Sequence, residues 1–331
     1  MRSASVLQPV ADPGARTRTT AVLGLGAFLP ETVVSNRPIA ERLGIDEEWI
    51  VKRTGIRSRR HATPDLRLSD LAIEAAEGAV EDAGIDPAEL DAVLVATTSA
   101  DEITPSAAPY VATALGAGHA AAMDIGAACT AWVTALSVGA AQIESGRAET
   151  VLVVGADVLS RYVDYDDKRT AALFGDGAGA VVLGSQGEGS VGPFVFGSDA
   201  TLSEAIIARR DDGVLHMDGH TTFNAAIAAL TDSTRESCAL AGTEIDAVDL
   251  FVFHQANGRI TRAVAERLGV GEDRVADYVA DMGNTSAASI PLALAAARTE
   301  GRLHAGDTVL VAAVGAGFTW GATVIQWGGP S

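Results

Sequence analysis

Short apolar runs alternate along this chain with longer stretches in which apolar positions recur every three or four residues. The runs "DAVLVATT" (91–98), "ETVLVVGA" (149–156), "GAGAVVLG" (177–184), "LFVFHQA" (250–256) and "DTVLVAAVGAG" (307–317) are rich in β-branched residues and end in small ones. They predict buried strands. Between them, "LRLSDLAIEAAEGAVEDAG" (66–84) and "ITRAVAERLG" (260–269) carry the three- and four-residue spacing of amphipathic helices. Strands and helices in alternation predict a layered α/β fold.

Some of these pieces repeat. "AGIDPAELDAVLV" (83–95) parallels "AGTEIDAVDLFVF" (241–253), and "GRAETVLVVGA" (146–156) parallels "GRLHAGDTVLVAAVGA" (301–316). The order of elements is the same in both halves, which predicts an internal duplication. The expected division is a flexible polar arm over 1–20, a first half over 21–190 and a second over 191–331. Counting back 17 residues from the pairs Gly146-Arg147 and Gly301-Arg302 sets Cys129 opposite Asn284, each at a helix start.

Composition narrows the function. A formal charge of −19 over 331 residues argues against nucleic acid, whose phosphates need a basic face. No run approaches the roughly 18 apolar residues of a membrane span, and the first 20 residues hold no secretory core. Two cysteines give no disulfide framework, so a reducing cytoplasm is the expected compartment. Neither cysteine has partners at metal-ligand spacing, and no metal is expected. "LGLGAFLP" (23–30) has a GxG but lacks the third glycine of a dinucleotide loop.

The first cysteine lies in "MDIGAACTAWVTALSVGAAQIESGR" (123–147), where small residues give way to a helical pattern. Such a thiol reads as a nucleophile, a metal ligand or a small core residue. At a first helical turn, backbone N–H groups and the helix dipole favour negative charge. His254 follows a predicted strand at its carboxyl end, where open α/β sheets place their chemistry. A thiol, an imidazole and the Asn284 amide meeting between two halves form a constellation for nucleophilic catalysis. Cys238, in "STRESCALAG", reads as a core thiol.

Five stretches in order, "DEEWIVKRTGIRSRR" (46–60), "FGDGAGAVVL" (174–183), "FHQANGRI" (253–260), "GNTSAAS" (283–289) and "GAGFTWG" (315–321), resemble the β-ketoacyl-acyl carrier protein synthase III family of the thiolase superfamily. The resemblance covers nearly everything after residue 20. It implies a five-layered αβαβα duplicated fold and a homodimer. It also implies an acylated nucleophile, Cys129, completed by His254 and Asn284, with an oxyanion hole from the N–H groups of Cys129 and Gly317. Trp49 and Arg161 match the family's adenine-sandwiching pair, Arg53 an arginine beside the phosphates, and Asn257 and Arg259 the coenzyme A tunnel mouth. Thr104, Trp132 and Phe223 fall where the acyl pocket is expected. The implied reaction is decarboxylative condensation of an acyl-CoA primer with a malonyl thioester, in fatty-acid or specialised polyketide metabolism. No cofactor beyond the thioester substrates is implied.

Three departures bear on specificity. Thr130-Ala131-Trp132 replaces the family's Ala-Gly-Phe after the cysteine. Thr104 stands where acetyl-specific members have phenylalanine, on a loop that caps the partner subunit's pocket. Asn224 and Glu266-Arg267 replace lysines used to dock acyl carrier protein, so binding to that acidic partner is expected to be weak by charge. The alternative reading is acyl transfer to a hydroxyl or amine.

Overall fold

The computed structural model describes residues 5–7 and 18–329. Two five-stranded sheets form its frame. The first comprises β2 (Ala21–Phe28), β5 (Ala92–Ala96), β6 (Ala121–Ile125), β7 (Thr150–Val158) and β8 (Asp176–Gly184), in the order β2-β8-β7-β5-β6. The second comprises β1 (Ser5–Leu7), β9 (Ser190–Ser198), β12 (Leu250–Phe253), β13 (Thr308–Gly315) and β14 (Thr319–Gln326), in the order β1-β9-β14-β13-β12. Two small hairpins, β3 (Val33–Ser35) with β4 (Ser58–Arg60) and β10 (Ile206–Ala208) with β11 (Leu215–Met217), stand apart from them.

The order β2-β8-β7-β5 reappears as β9-β14-β13-β12. In each set the last two strands are parallel and the others antiparallel. The helices complete the layers. They are α1 (Asn36–Leu43), α2 (Glu47–Thr54), α3 (Leu68–Ala83), α4 (Ala107–Leu115), α5 (Ala131–Glu144), α6 (Gly219–Ala241), α7 (Gly258–Leu268), α8 (Val279–Met282) and α9 (Ser289–Thr299).

The near-continuous apolar strands are buried on both faces, as the absence of alternation predicts. Val151 and Val153 of β7 face inward, packing with α5 and α9 and with Val252, Val309 and Val311 of the other sheet. Leu152 and Val154 face outward against α3 and α4. On the far side, α6 and α7 cover the outer face of the second sheet through Leu230, Val264, Phe251 and Leu310. The result is five layers, α3/α4, sheet, α5/α9, sheet, α6/α7.

The GxG of β2 has a packing explanation. A Cβ on Gly26 would stand 2.1 Å from the Ala75 carbonyl oxygen, and one on Gly24 2.3 Å from that of Ala79. Helix α3 therefore lies directly on the strand backbone.

Most of the expected arm, residues 1–4 and 8–17, lies outside the described residues. Ser5–Leu7 correct that expectation, because they form β1 and pair antiparallel with Phe194–Phe196. The edge of β9 presents unpaired N–H and C=O groups that any extended segment can satisfy. Among the described residues, no helix is long and apolar enough to cross a membrane.

Candidate active site

A cavity of about 1320 Å³ opens at the carboxyl ends of the parallel strands and reaches Cys129, His254 and Asn284. Cys129 lies beyond β6 in a 3-10 turn, Ala128–Thr130, that runs into α5. Ala128 holds φ at +49°, a conformation that costs a non-glycine residue about 1–3 kcal/mol. Ser286 (φ +52°) and Phe318 (φ +47°) share this strain. All three line the cavity. Among the described residues they are the non-glycine positions with positive φ.

The thiol is half-buried and accepts a hydrogen bond from Ser286 Oγ at 3.5 Å. Burial pushes it up to about 12, and the Asp157 carboxylate adds to the rise. This corrects the expectation of a dipole-stabilised thiolate. Desolvation and a nearby negative charge both favour the neutral thiol over the thiolate.

His254 follows β12 and is 2% exposed. Its backbone N–H donates to the Ala312 carbonyl at 2.8 Å, and its Nδ1 lies 2.6 Å from Ser289 Oγ. Burial lowers its pKa to about 4, so the ring is neutral at pH 7. Asn284 is clamped by the "FGDGAG" segment. Its N–H donates to the Leu173 carbonyl at 2.8 Å, and its carbonyl accepts from Gly175 N–H at 3.0 Å. Its Oδ1 accepts from Ser286 N–H at 2.9 Å, which orients the amide. A side chain on Gly175 would meet the Met282 carbonyl oxygen at 2.3 Å. Asp176 anchors the same segment, with Oδ1 accepting from Ser160 N–H and Oδ2 from Ala62 N–H.

The mouth is lined by Trp49, Arg53, Phe223, Asn257 and Arg259. Arg53 lies over the Trp49 ring at 5.5 Å, and Arg259 over the Phe223 ring at 4.9 Å. Asn257 caps α7 by accepting from Arg259 N–H, and it donates from Nδ2 to the Arg53 carbonyl. One side chain thereby fixes the relative placement of both arginines. Leu159, Leu173, Phe174, Ile206, Leu215 and Met217 give the same cavity an apolar wall.

The structure corrects several placements. Arg161 does not line the cavity. It donates to the Leu66 carbonyl at 2.6 Å and faces Asp101. Lys168, Arg169, Arg209 and Arg210 line the mouth instead, and sequence reading missed them. Their signal was the basic pairs in "DDKRT" and "ARRDDG", each masked by adjacent acids. Gly317 sits in the β13–β14 turn at φ +78° and does not line the cavity; Gly315 and Ala316 do.

Trp132 is 1% exposed and packs among α5, α9 and both sheets, outside the cavity lining. Three residues past Cys129, it points into the apolar layer between the sheets. Thr104 is exposed and does not line the cavity of its own chain, while its neighbours Glu102, Ile103 and Ser106 do. The pairing of Cys129 with Asn284 also fails. The 3-10 turns Ala128–Thr130 and Ser286–Ala288 correspond, which sets Ala287 opposite Cys129. The count slipped because α9 has 11 residues and α5 has 14.

Comparison with known proteins shows the family and the fold. Residues 123–200 match the family model described as 3-oxoacyl-[acyl-carrier-protein (ACP)] synthase III, and 238–327 match its C-terminal counterpart. The chain is 45% identical over 311 residues to beta-ketoacyl-[acyl-carrier-protein] synthase III 2 of Streptomyces coelicolor, covering 93% of this chain and 94% of that one. Among solved structures, 3-oxoacyl-(acyl carrier protein) synthase III from Pseudomonas aeruginosa PAO1 superposes with a TM-score of 0.90 at 40% identity, covering 95% of this chain and 99% of that one. The priming beta-ketosynthase of the R1128 polyketide biosynthetic pathway superposes at 0.91 and 37% identity, covering 96% and 100%.

Proposed function

The chain belongs to the 3-oxoacyl-[acyl-carrier-protein] synthase III family, and on that premise we propose that it is an acyl-CoA-primed condensing enzyme working through an acyl group on Cys129. The observation that carries this reading is the meeting of a strained-turn thiol, a neutral imidazole and an oriented amide in one cavity with a cationic mouth.

In the first half-reaction Cys129 Sγ attacks the primer's thioester carbonyl. The carbon–sulfur bond to coenzyme A breaks, and the thiol proton leaves with the departing thiolate. The Cys129 N–H and the Gly315–Ala316 backbone are the proposed setting for the tetrahedral oxyanion. In the second, the bond from a malonyl thioester to its carboxylate breaks and carbon dioxide departs. The electron pair moves onto the thioester oxygen as an enolate, which His254 and Asn284 stabilise by donating hydrogen bonds. The enolate carbon then attacks the acyl carbon, Cys129 leaves as thiolate, and one proton restores the thiol. A neutral imidazole suits this work, because it donates without bringing a full charge into a buried site.

The mouth cations Arg53, Lys168, Arg169 and Arg259 fit the phosphates of coenzyme A or phosphopantetheine. The apolar wall fits an aliphatic primer. A homodimer is part of the proposal, since Ile103, 89% exposed beside the cavity, is an apolar residue that a second copy would cover.

Intact-protein mass spectrometry after incubation with a panel of acyl-CoAs tests the first step. A chase with malonyl-carrier protein tests the second. Discharge with carbon dioxide and a β-ketoacyl product is the expected result. An acyl-enzyme that malonyl thioesters leave untouched would instead direct the search to hydroxyl and amine acceptors.

A further inference from the structure

His254 has two ring nitrogens, and the chemistry it can perform depends on which carries the proton. We propose that Ser289 is a positioning residue that holds the proton of His254 on Nε2, so that the imidazole acts as a hydrogen-bond donor and not as the base for Cys129. The tautomer stands on the geometry alone, and its catalytic meaning rests on the proposed condensation.

The hydrogen bonds around Ser289 can be satisfied in only one sense. Ser289, the first residue of α9, is 2% exposed, and its hydroxyl has one proton and two lone pairs. Gln255 N–H donates to Ser289 Oγ at 3.4 Å. That N–H cannot turn away, because the Gln255 side chain is itself locked. Its Nε2 donates to the Phe253 and Ala276 carbonyls, and its Oε1 accepts from Tyr278 N–H.

The other partner of Ser289 Oγ among the described residues is His254 Nδ1, at 2.6 Å. If the hydroxyl donates to Nδ1, the serine hydroxyl and Nδ1 are both paired. If Nδ1–H donates instead, the serine proton is left buried with no acceptor, a state that folded proteins avoid. The ring is neutral, since burial lowers its pKa to about 4. With Nδ1 accepting, the proton belongs to Nε2.

Asn284 is arranged in the same sense. Its Oδ1 is taken by Ser286 N–H, so its NH₂ is the group left to donate. Both residues have their acceptor side occupied by protein and their donor side available to the cavity they line. Such a pair suits an oxygen gaining negative charge. It does not suit removal of the thiol proton, which departs with the leaving thiolate.

Nitrogen NMR of the ¹⁵N-histidine-labelled protein reads the tautomer directly, with His254 assigned by difference from His254→Asn. The expected spectrum shows a protonated Nε2 and an unprotonated Nδ1. A protonated Nδ1 in the wild-type protein overturns the proposal, even if every Ser289 variant fails to fold. Ser289→Ala is expected to mix the tautomers and slow malonyl discharge of the acyl-enzyme on the order of a hundredfold. Self-acylation should slow far less, and Ser289→Thr should recover the discharge. Equal slowing of both half-reactions by Ser289→Ala would place His254 in both steps and sink the donor-only assignment. The NMR result needs no substrate, so a protein that never condenses malonyl thioesters would refute the proposed function and leave the tautomer standing.

Discussion

In the first half of the molecule Ala128, at φ +49°, opens the turn that leads into α5; in the second, Ser286, at φ +52°, opens the turn that leads into α9. The backbones are alike, and a constant numbering offset aligns Cys129 with Ala287 and Asp157 with Gly315. Each turn is braced by the strand end of the opposite half. Ala287 N–H donates to the Asp157 carboxylate at 3.2 Å, whereas the Cys129 N–H lies against Gly315, where even a Cβ would come within 2.9 Å. One turn is tied down by an anion. The other meets a glycine, which has no side chain to set against it. The two strained turns are alike in backbone, and they differ in the residue that meets them, a carboxylate at Ala287 and a glycine at Cys129.

Making the two turns chemically identical is the strongest way to break the comparison. Cys129→Ala gives both halves alanine there, and intact mass spectrometry should find no acyl adduct with any acyl-CoA. Exchanging the brace comes next. Gly315→Asp puts a carboxylate beside the Cys129 N–H, and acyl-enzyme formation should fall about 10²–10³-fold in single-turnover assays.

Removing the other brace has a smaller effect. Asp157 accepts from Thr98 N–H, Ser99 Oγ and Ala287 N–H, and Asp157→Asn leaves at least one backbone N–H unpaired. The expected loss is about 1–3 kcal/mol in denaturant unfolding. Because the carboxylate raises the Cys129 thiol, the pH profile of iodoacetamide alkylation should shift downward in the same variant. Smallest is Trp132→Phe. The indole N–H is buried without a hydrogen-bond partner, so stability should change by no more than about 1 kcal/mol and the accepted acyl chains should stay the same.

The layered duplicated fold was legible because it is written in local pattern. "ETVLVVGA" and "DTVLVAAVGAG" carry the continuous apolar pattern of strands buried on both faces, and each forms one. That Cys129 and His254 meet in one cavity was legible from their places at a helix start and a strand end, whereas Asn284 was reached by a count that the structure does not support. Lys168, Arg169, Arg209 and Arg210 were not legible, because whether a loop cation faces a cavity or the solvent is settled by how distant segments pack. Trp132 misled for the reverse reason. Proximity to Cys129 in sequence placed it near the nucleophile, while three residues of helix carried its ring into the core. The opposite character of the two bracing residues depends on contacts between halves, and no single stretch of sequence contains it.

Among the described residues, six cations, Arg53, Lys168, Arg169, Arg209, Arg210 and Arg259, line the cavity against three acids, Asp101, Glu102 and Asp124, on a chain with a formal charge of −19. Such a contrast makes the entrance a local electrostatic sink in a repelling surface. An anionic thioester is turned away from most of the protein and drawn to one opening, and the reach of that pull shrinks with the Debye length, about 10 Å at 0.1 M salt. Raising ionic strength should therefore lower kcat/KM for acyl-CoA while the rate at saturating substrate holds, which makes the rim a determinant of how quickly substrate arrives and not of how quickly it reacts.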